Sequence, residues 1–460
     1  MPRSPEDLTE GSVGRHLLRL TIPMFLGISS MMLASMIDTI YIGWIGTREL
    51  AAVSFSFPVV MGLSSVSMGL GIGATSLMAR TLGRGDRAGS LLVGTHTLVL
   101  VALLVLTLAA LGLWWRTAFF AWLGADADTL PLVDAYMRIW LIGLPLFALP
   151  MVSMSMLRAV GDARTSGALM VAGAALQVVI APALIFGIPH VSEGIGFLGS
   201  AWAFVASRGI TFGITAIVLT RRGMIRPLES SASMLASWRE VLRVGVPSTL
   251  SQMIGPVSMA VVIGLLAPHG HAVVAGFGVA QRIESLALMV LMALGSSISP
   301  FVGQNWGAGQ HGRVREALLV GYRFSIAWGL VASALLFLFG RPIVAAINDH
   351  RDVIEATYAY LVIVPASYTV LGASFVAGSA FVALGKPLPS LVLTLSRMVL
   401  VYLPLAILGN HLFGFRGIYG AGALSNVIAG VVAVLWVRRL VPRGGPAVVE
   451  VSEVSHAGTG

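Results

Sequence analysis

Long apolar runs separated by short polar ones dominate this chain. Twelve of them stand near 17–43, 50–79, 91–115, 132–157, 166–188, 197–220, 241–267, 273–302, 317–340, 353–382, 388–409 and 417–437. Each is long enough to cross a bilayer, which takes roughly 20 apolar residues as a helix. Their all-round apolarity, without the alternation of a barrel strand, predicts helices. The fold class expected is therefore an all-α integral membrane protein.

The longest polar interruption, residues 221–240, falls at mid-chain and divides a repeat. Leu18, Arg19 and Pro23 recur as Leu242, Arg243 and Pro247, each 224 residues later. At the same offset Gly83 and Gly85 return as Gly307 and Gly309, and Ala159, Gly161 and Ser166 as Ala383, Gly385 and Ser390. GFLGSAWAFVAS (196–207) is echoed by GFRGIYGAGALS (414–425), with a slip of six residues. The expected organisation is a six-helix lobe over 1–220, a linker over 221–240, a second six-helix lobe over 241–440 and a disordered tail over 441–460. Six spans per half is an even number, so both halves enter the membrane in the same sense. A parallel repeat of this kind occurs among secondary transporters.

Composition agrees with the membrane reading. Only 11% of residues are charged, 57% are hydrophobic, and the mean hydropathy is +0.89, against about 25% charged in soluble proteins. The net charge of +9 is distributed by side. Arg15, Arg19, Arg80, Arg84, Arg87, Arg158, Arg164, Arg221, Arg222, Arg313, Arg438 and Arg439 all fall on the side of the termini and the even-numbered connections. By the positive-inside rule both termini are cytoplasmic, in an inner-membrane setting. The basic excess is thus topological and no nucleic-acid partner is needed. The polar N-terminus followed by a full-length span does not read as a cleavable signal. With no cysteine, disulfides, thiolate catalysis and Cys-bound metal are excluded. No ATP-binding, zinc-protease or Ser-His-Asp motif appears, so the expectation is not an enzyme and no cofactor or metal. The two histidines His269 and His271 alone are a weak metal signal.

Chemistry is sparse inside the spans. Asp38 is the only charge between Leu20 and Gly46. An ionised carboxylate there costs about 2.5 to 3.5 kcal/mol, so such residues usually face a protein interior or water path and take up a proton or cation. Ser35 and Tyr41 lie one helical turn away and are candidate partners. Pro23, earlier in the same helix, removes a backbone donor and permits a bend. In the second half Glu284 is embedded likewise, with Arg282, Arg397 and Arg208 as charged candidates around it. Gln177, Gln252, Gln281 and Asn426 are candidates for a cavity lining or for helix-joining bonds. Gly69 and Gly73 allow close helix approach, and the many methionines suit varied apolar ligands.

Pro23 with Asp38 followed by IGWIGTRELAAVSF, the loop ARTLGRGD, the segment RAVGDART, and VAGFGVAQRIES with PFVGQNWGAGQ resemble the multidrug and toxic compound extrusion (MATE) family. The last two look most like its DinF-like prokaryotic branch. The resemblance covers about residues 15–438. It implies two six-helix bundles around a central cavity that opens alternately to each side, and export of bulky, often cationic or amphipathic compounds in exchange for protons or sodium ions. It assigns Asp38 to cation coupling. Where relatives read LNxxLDP, this chain reads LQVVIAP (176–182), with Gln177 and Ala181 in place of the Asn and Asp. A Thr of the sixth helix aligns with Phe204. The acidic residues of the NorM-like branch fall near Gly255 and Ala373.

A desolvated hard cation wants several oxygen ligands. A proton needs one carboxylate, and an apolar surround favours the neutral form. The reading is a proton-coupled antiporter for organic solutes in the bilayer, acting as a monomer. A sodium-coupled exporter, a flippase for lipid-linked precursors and a non-transporting scaffold are the alternatives.

Overall fold

A computed structural model describes residues 7–188, 192–228 and 230–441. The expected disordered tail lies outside these from residue 442 onward. The helices are α1 (Val13–Ile45), α2 (Thr47–Gly83), α3 (Arg87–Trp122), α4 (Leu130–Ala159), α5 (Ala163–Phe186), α6 (Phe197–Arg221), α7 (Ser231–Leu266), α8 (His271–Gly307), α9 (His311–Ile347), α10 (Arg351–Ile363), α11 (Tyr368–Ala383), α12 (Pro387–Leu395), α13 (Leu403–Phe413) and α14 (Phe415–Leu440). Among the described residues they make twelve membrane-length spans, α10 with α11 and α12 with α13 each serving as one.

The differences from the expected edges have local causes. The linker expected over 221–240 is helical from Ser231, because Ser230 accepts the Ser233 N–H and caps α7. The fifth span ends at Phe186, where Gly187 takes φ +85°. A two-residue ladder follows, pairing Gly187 with Glu193 and Ile188 with Ser192. Pro365 opens the 3-10 turn that divides α10 from α11, and a π-helical stretch over Ser396–Tyr402 divides α12 from α13. The short loops of two motifs are turn devices. In each, a glycine in the left-handed region (Gly85, φ +87°; Gly161, φ +87°) is followed by an aspartate. Asp86 accepts the Gly89 N–H and Asp162 the Thr165 N–H, capping α3 and α5.

Both halves pack to one plan. In the first, α1 packs on α5, α5 on α6, α6 on α4, and α4 on α2, with α3 outside against α2 and α4. In the second, α7 packs on α12, α13 on α14, α14 on α11, and α11 on α8, with α9 outside. The lobes meet through α2 against α7 and through α1 and α2 against α8.

That seam lies on the side of the termini. Gly69 and Gly73 of α2 stand against Thr249, Val241 and Gly245 of α7, as small residues permit. Ser29 contacts Met289 at 2.6 Å, and Ser76 donates to the Val382 carbonyl at 2.5 Å. At the helix ends Gly83 packs on the backbone of Gln304, and Gly307 on that of Arg80. Residues 80 and 304, like 83 and 307, differ by the repeat offset. The two contacts are therefore one contact made twice.

The N-terminal segment completes the seal. Leu8 is fully buried; its N–H donates to Gln304 at 3.3 Å and its carbonyl accepts from Asn305 at 3.1 Å. Gln304 also reaches the Ala159 carbonyl at 2.7 Å, and Arg313 donates to the Gly11 carbonyl at 2.6 Å. The glycine contacts of α2 with α7 and α8 use the second halves of α2 and α8 and the first half of α7 up to its middle, and Ser29 and Met289 meet at the middles of α1 and α8. The helix halves away from this seam carry exposed large apolar side chains, among them Met36, Met61, Met253 and Met259.

Candidate coupling site

Inside the first lobe, α1, α5 and α6 bring three polar side chains together. Asp38 Oδ1 accepts from Gln177 Nε2 at 3.5 Å, the outer limit of a hydrogen bond. Both carboxylate oxygens face Ser200 Oγ, at 3.2 and 3.3 Å. Ser207 Oγ donates to Gln177 Oε1 at 2.7 Å, which turns the amide so that its NH2 points at Asp38. Tyr136 of α4 stands beside Asp38 and Ser200, its ring stacked on Phe197 at 5.3 Å.

Gln177 is thus at Asp38, whereas Ser35 and Tyr41 are placed elsewhere. Ser35 is exposed on α1, and Tyr41 packs on Trp44 and Phe186. The sixth helix does present a hydroxyl to Asp38: it is Ser200, one turn before Phe204, whose ring instead stacks on Trp140 at 5.4 Å. The sequence reading missed Ser200, Ser207 and Tyr136. A signal for the serines exists, because Ser200, Ser207, Thr211 and Thr215 recur at helical spacing on one face, and all four are buried. Ala181 is fully buried and apolar.

Pro23 sits where α1 crosses α5. A Cβ on Gly167 would overlap the Pro23 carbonyl, and one on Gly27 would crowd Met170. The backbones touch there, at a point where α1 lacks one rung of its ladder. Asp38 lies fifteen residues beyond, on the side away from the termini.

The second lobe holds a different cluster. Glu284 is buried; its Oε2 accepts from Tyr360 OH at 2.6 Å and from Gln281 Nε2 at 2.7 Å. The Tyr368 hydroxyl interacts with Glu284 without reaching hydrogen-bond geometry. Arg397, in the π-helical stretch, acts on Glu284 electrostatically, while its Nη1 donates to Asn426 Oδ1 at 2.8 Å. Arg282 is exposed and outside the cluster. His269 is bonded to Asn410 at 2.6 Å, a turn contact. Among the described residues no group of three or more His, Asp or Glu is placed to hold a metal ion.

The MatE family model matches residues 23–183 and 203–408. The chain belongs to the MATE family. It is a multi-pass membrane transporter and not an enzyme. It is 33% identical over 435 residues to a FAD transporter of Shewanella oneidensis, covering 94% of this chain and 96% of that one. It is 26% identical to the probable multidrug resistance protein YpnP of Bacillus subtilis, covering 94% and 96%. The bent form of the Vibrio cholerae MATE transporter VcmN superposes with a TM-score of 0.89 at 27% identity, covering 93% of this chain and 97% of that one. An outward-facing multidrug resistance MATE transporter superposes at 0.88, also at 27% identity, covering 94% and 97%. The two six-helix bundles of the MATE fold are the lobes described above.

Proposed function

We propose that this MATE transporter exports organic solutes by alternating access, driven by protons taken up at Asp38, with both termini in the cytoplasm and the cavity here open outward. The donor character of the groups around Asp38 carries the reading. Ser200 offers a hydroxyl and Gln177 an NH2, while the Gln177 oxygen is occupied by Ser207. A hard cation would need several oxygens turned toward it, and beside the carboxylate the hydrogen-bonded groups offer one, the Ser200 hydroxyl. A proton needs only the carboxylate.

Protonation supplies the coupling. As a carboxylate, Asp38 ties α1 to α5 and α6 by accepting from both. Once protonated it is itself a donor with less acceptor capacity, so the ties loosen. The half of α1 beyond Pro23 is then freed to shift relative to α5. Two states must differ in affinity for proton and solute, or no exchange results. The exposed methionines of the open halves suit an adaptable cargo surface, and the Shewanella relative puts FAD among the solutes to test.

In liposomes holding the purified protein, an imposed pH gradient is expected to drive dye export, and a sodium gradient at constant pH to drive none. Sodium-driven, proton-insensitive export would overturn the proton assignment.

We assign Glu284 a structural role, pinning α8 to α10. Tyr360→Phe removes the hydroxyl that donates to Glu284. Breaking a buried bond to a carboxylate costs about 1.5–3 kcal/mol. The melting temperature of the purified variant is expected to fall by several degrees, with pH-driven export kept within about twofold of wild type. Lost export at an unchanged melting temperature would move Glu284 into the transport machinery.

A further inference from the structure

Among the described residues Arg208, on α6 of the first lobe, has no carboxylate partner. Arg208, midway along α6, lies over the rings of Phe204 and, on α4, Phe147, at 5.5 and 5.7 Å. Its Nη1 is 3.3 Å from where a Cβ on Gly173 of α5 would stand. A side chain that touches both helices flanking its own points into the ring of the lobe. It is only half-buried, yet its Nε is buried without a hydrogen-bond partner. Among the described ion pairs none includes it. Asp38 is too remote to be among its counter-charges.

The repeat sharpens the contrast. With the six-residue slip the position of Arg208 corresponds to Asn426, while that of Gly173, before the slip, corresponds at the plain offset of 224 to Arg397. Each lobe thus places one guanidinium at the same helix contact, from opposite partners. In the second lobe Asn426 and Glu284 answer it. The counterpart of Glu284 in the first lobe is Val60. One lobe carries its own anion, and the other leaves the place open.

We infer that Arg208 is an anion subsite that takes a phosphate group of the transported organic solute. A guanidinium unanswered inside a membrane span is costly, and contact with aromatic faces offsets only part of that cost. Its flat fork of donors matches a phosphate oxygen pair, and the guanidinium lies against Phe147 and Phe204, which limits how the fork can turn. The solute would bring the missing charge and carry it away on release. This inference rests on the reading of the chain as an exporter and adds a cargo class to it.

The test is equilibrium binding of flavins to the full chain in dodecyl maltoside, which has no phosphate, read by flavin fluorescence. Flavin mononucleotide differs from riboflavin by one phosphate, and FAD is the larger phosphate-bearing probe. Wild type is expected to bind both at least about tenfold more tightly than riboflavin, as one charge-assisted contact allows. Arg208→Gln is expected to level the three affinities and Arg208→Lys to keep part of the preference. A packing role would not move that ratio. Equal affinities in wild type, no binding of either phosphate-bearing flavin, or an unchanged ratio in Arg208→Gln would overturn the proposal. Should the Gln variant fail to fold, the Lys variant and the wild-type ratio still decide. Displacement of the flavin by short-chain phosphatidylglycerol at equal affinity would assign the site to lipid and overturn the cargo reading. Binding needs no ion gradient. A wild-type chain that prefers phosphate but shows no pH-driven export therefore sinks the coupling reading alone, and the reverse result sinks this one alone.

Discussion

Asp38→Asn is expected to lower pH-driven export by at least about tenfold, to the leak of empty liposomes, without unfolding the protein. Asparagine has the volume of aspartate and, like the protonated acid, pairs one accepting oxygen with a donor, so it fills the site while holding α1 to α6 and α5 only as loosely as the protonated state does. What is lost is the ability to alternate between acceptor and donor as a proton arrives and leaves. The variant is left with the bonds of one state. Solute binding in detergent is expected to survive, while the proton released on adding solute to wild type should vanish. Linkage requires that pairing, since a ligand that displaces a proton is itself displaced by protons. An Asp38→Asn protein that still exports dye at wild-type rates under a pH gradient would show that the coupling proton binds elsewhere.

The part of this site legible in the sequence is the part whose cost is local. An isolated carboxylate in an apolar run is conspicuous wherever it points, so Asp38 and Glu284 stood out. Of their partners Gln177, Gln281 and Arg397 were candidates, but the hydroxyls of Ser200 and Tyr360 were not, because hydrogen bonds between helices depend on how the helices are turned. Ser35 and Tyr41 share a helical face with Asp38 by spacing, but tertiary packing commits Tyr41 to Trp44 and Phe186. The true hydroxyl partner, Ser200, is 162 residues away. The fold was more legible, since twelve apolar runs and a constant offset need no contact information. Breaks such as the π-helical turn at Arg397 were not, because they satisfy bonds between elements and leave no period in the chain. Tyr136 and Tyr360 stand at the repeat offset, each beside its lobe's carboxylate. The sequence contains that symmetry, but only the structure makes it meaningful.

Gly83→Val and Gly307→Val are expected to open the seam on the side of the termini. A Cβ on Gly83 would overlap the Gln304 carbonyl, and one on Gly307 the Arg80 carbonyl. Backbone of a packed helix end cannot swing aside as a flexible side chain can. Overpacking of this kind typically costs about 1–3 kcal/mol. That cost falls only on the state in which the lobes touch there. Conformers of a transporter differ by a few kcal/mol, so each substitution is expected to shift the population roughly 5- to 150-fold toward the state with that seam parted. The chain has no cysteine, so spin labels can be placed without prior substitutions. Labels at Arg84 and Gly312 report the side of the termini, and labels at Gly124 and Gly270 the opposite one; all four positions are exposed. The first distance should lengthen and the second shorten. Gly14→Ala, at a glycine with nothing near its Cβ position, should change neither. Because the two contacts are the same contact repeated about the pseudo-symmetry axis, either valine alone should suffice. Unchanged distances in both folded valine variants would mean that the lobes do not separate at this seam.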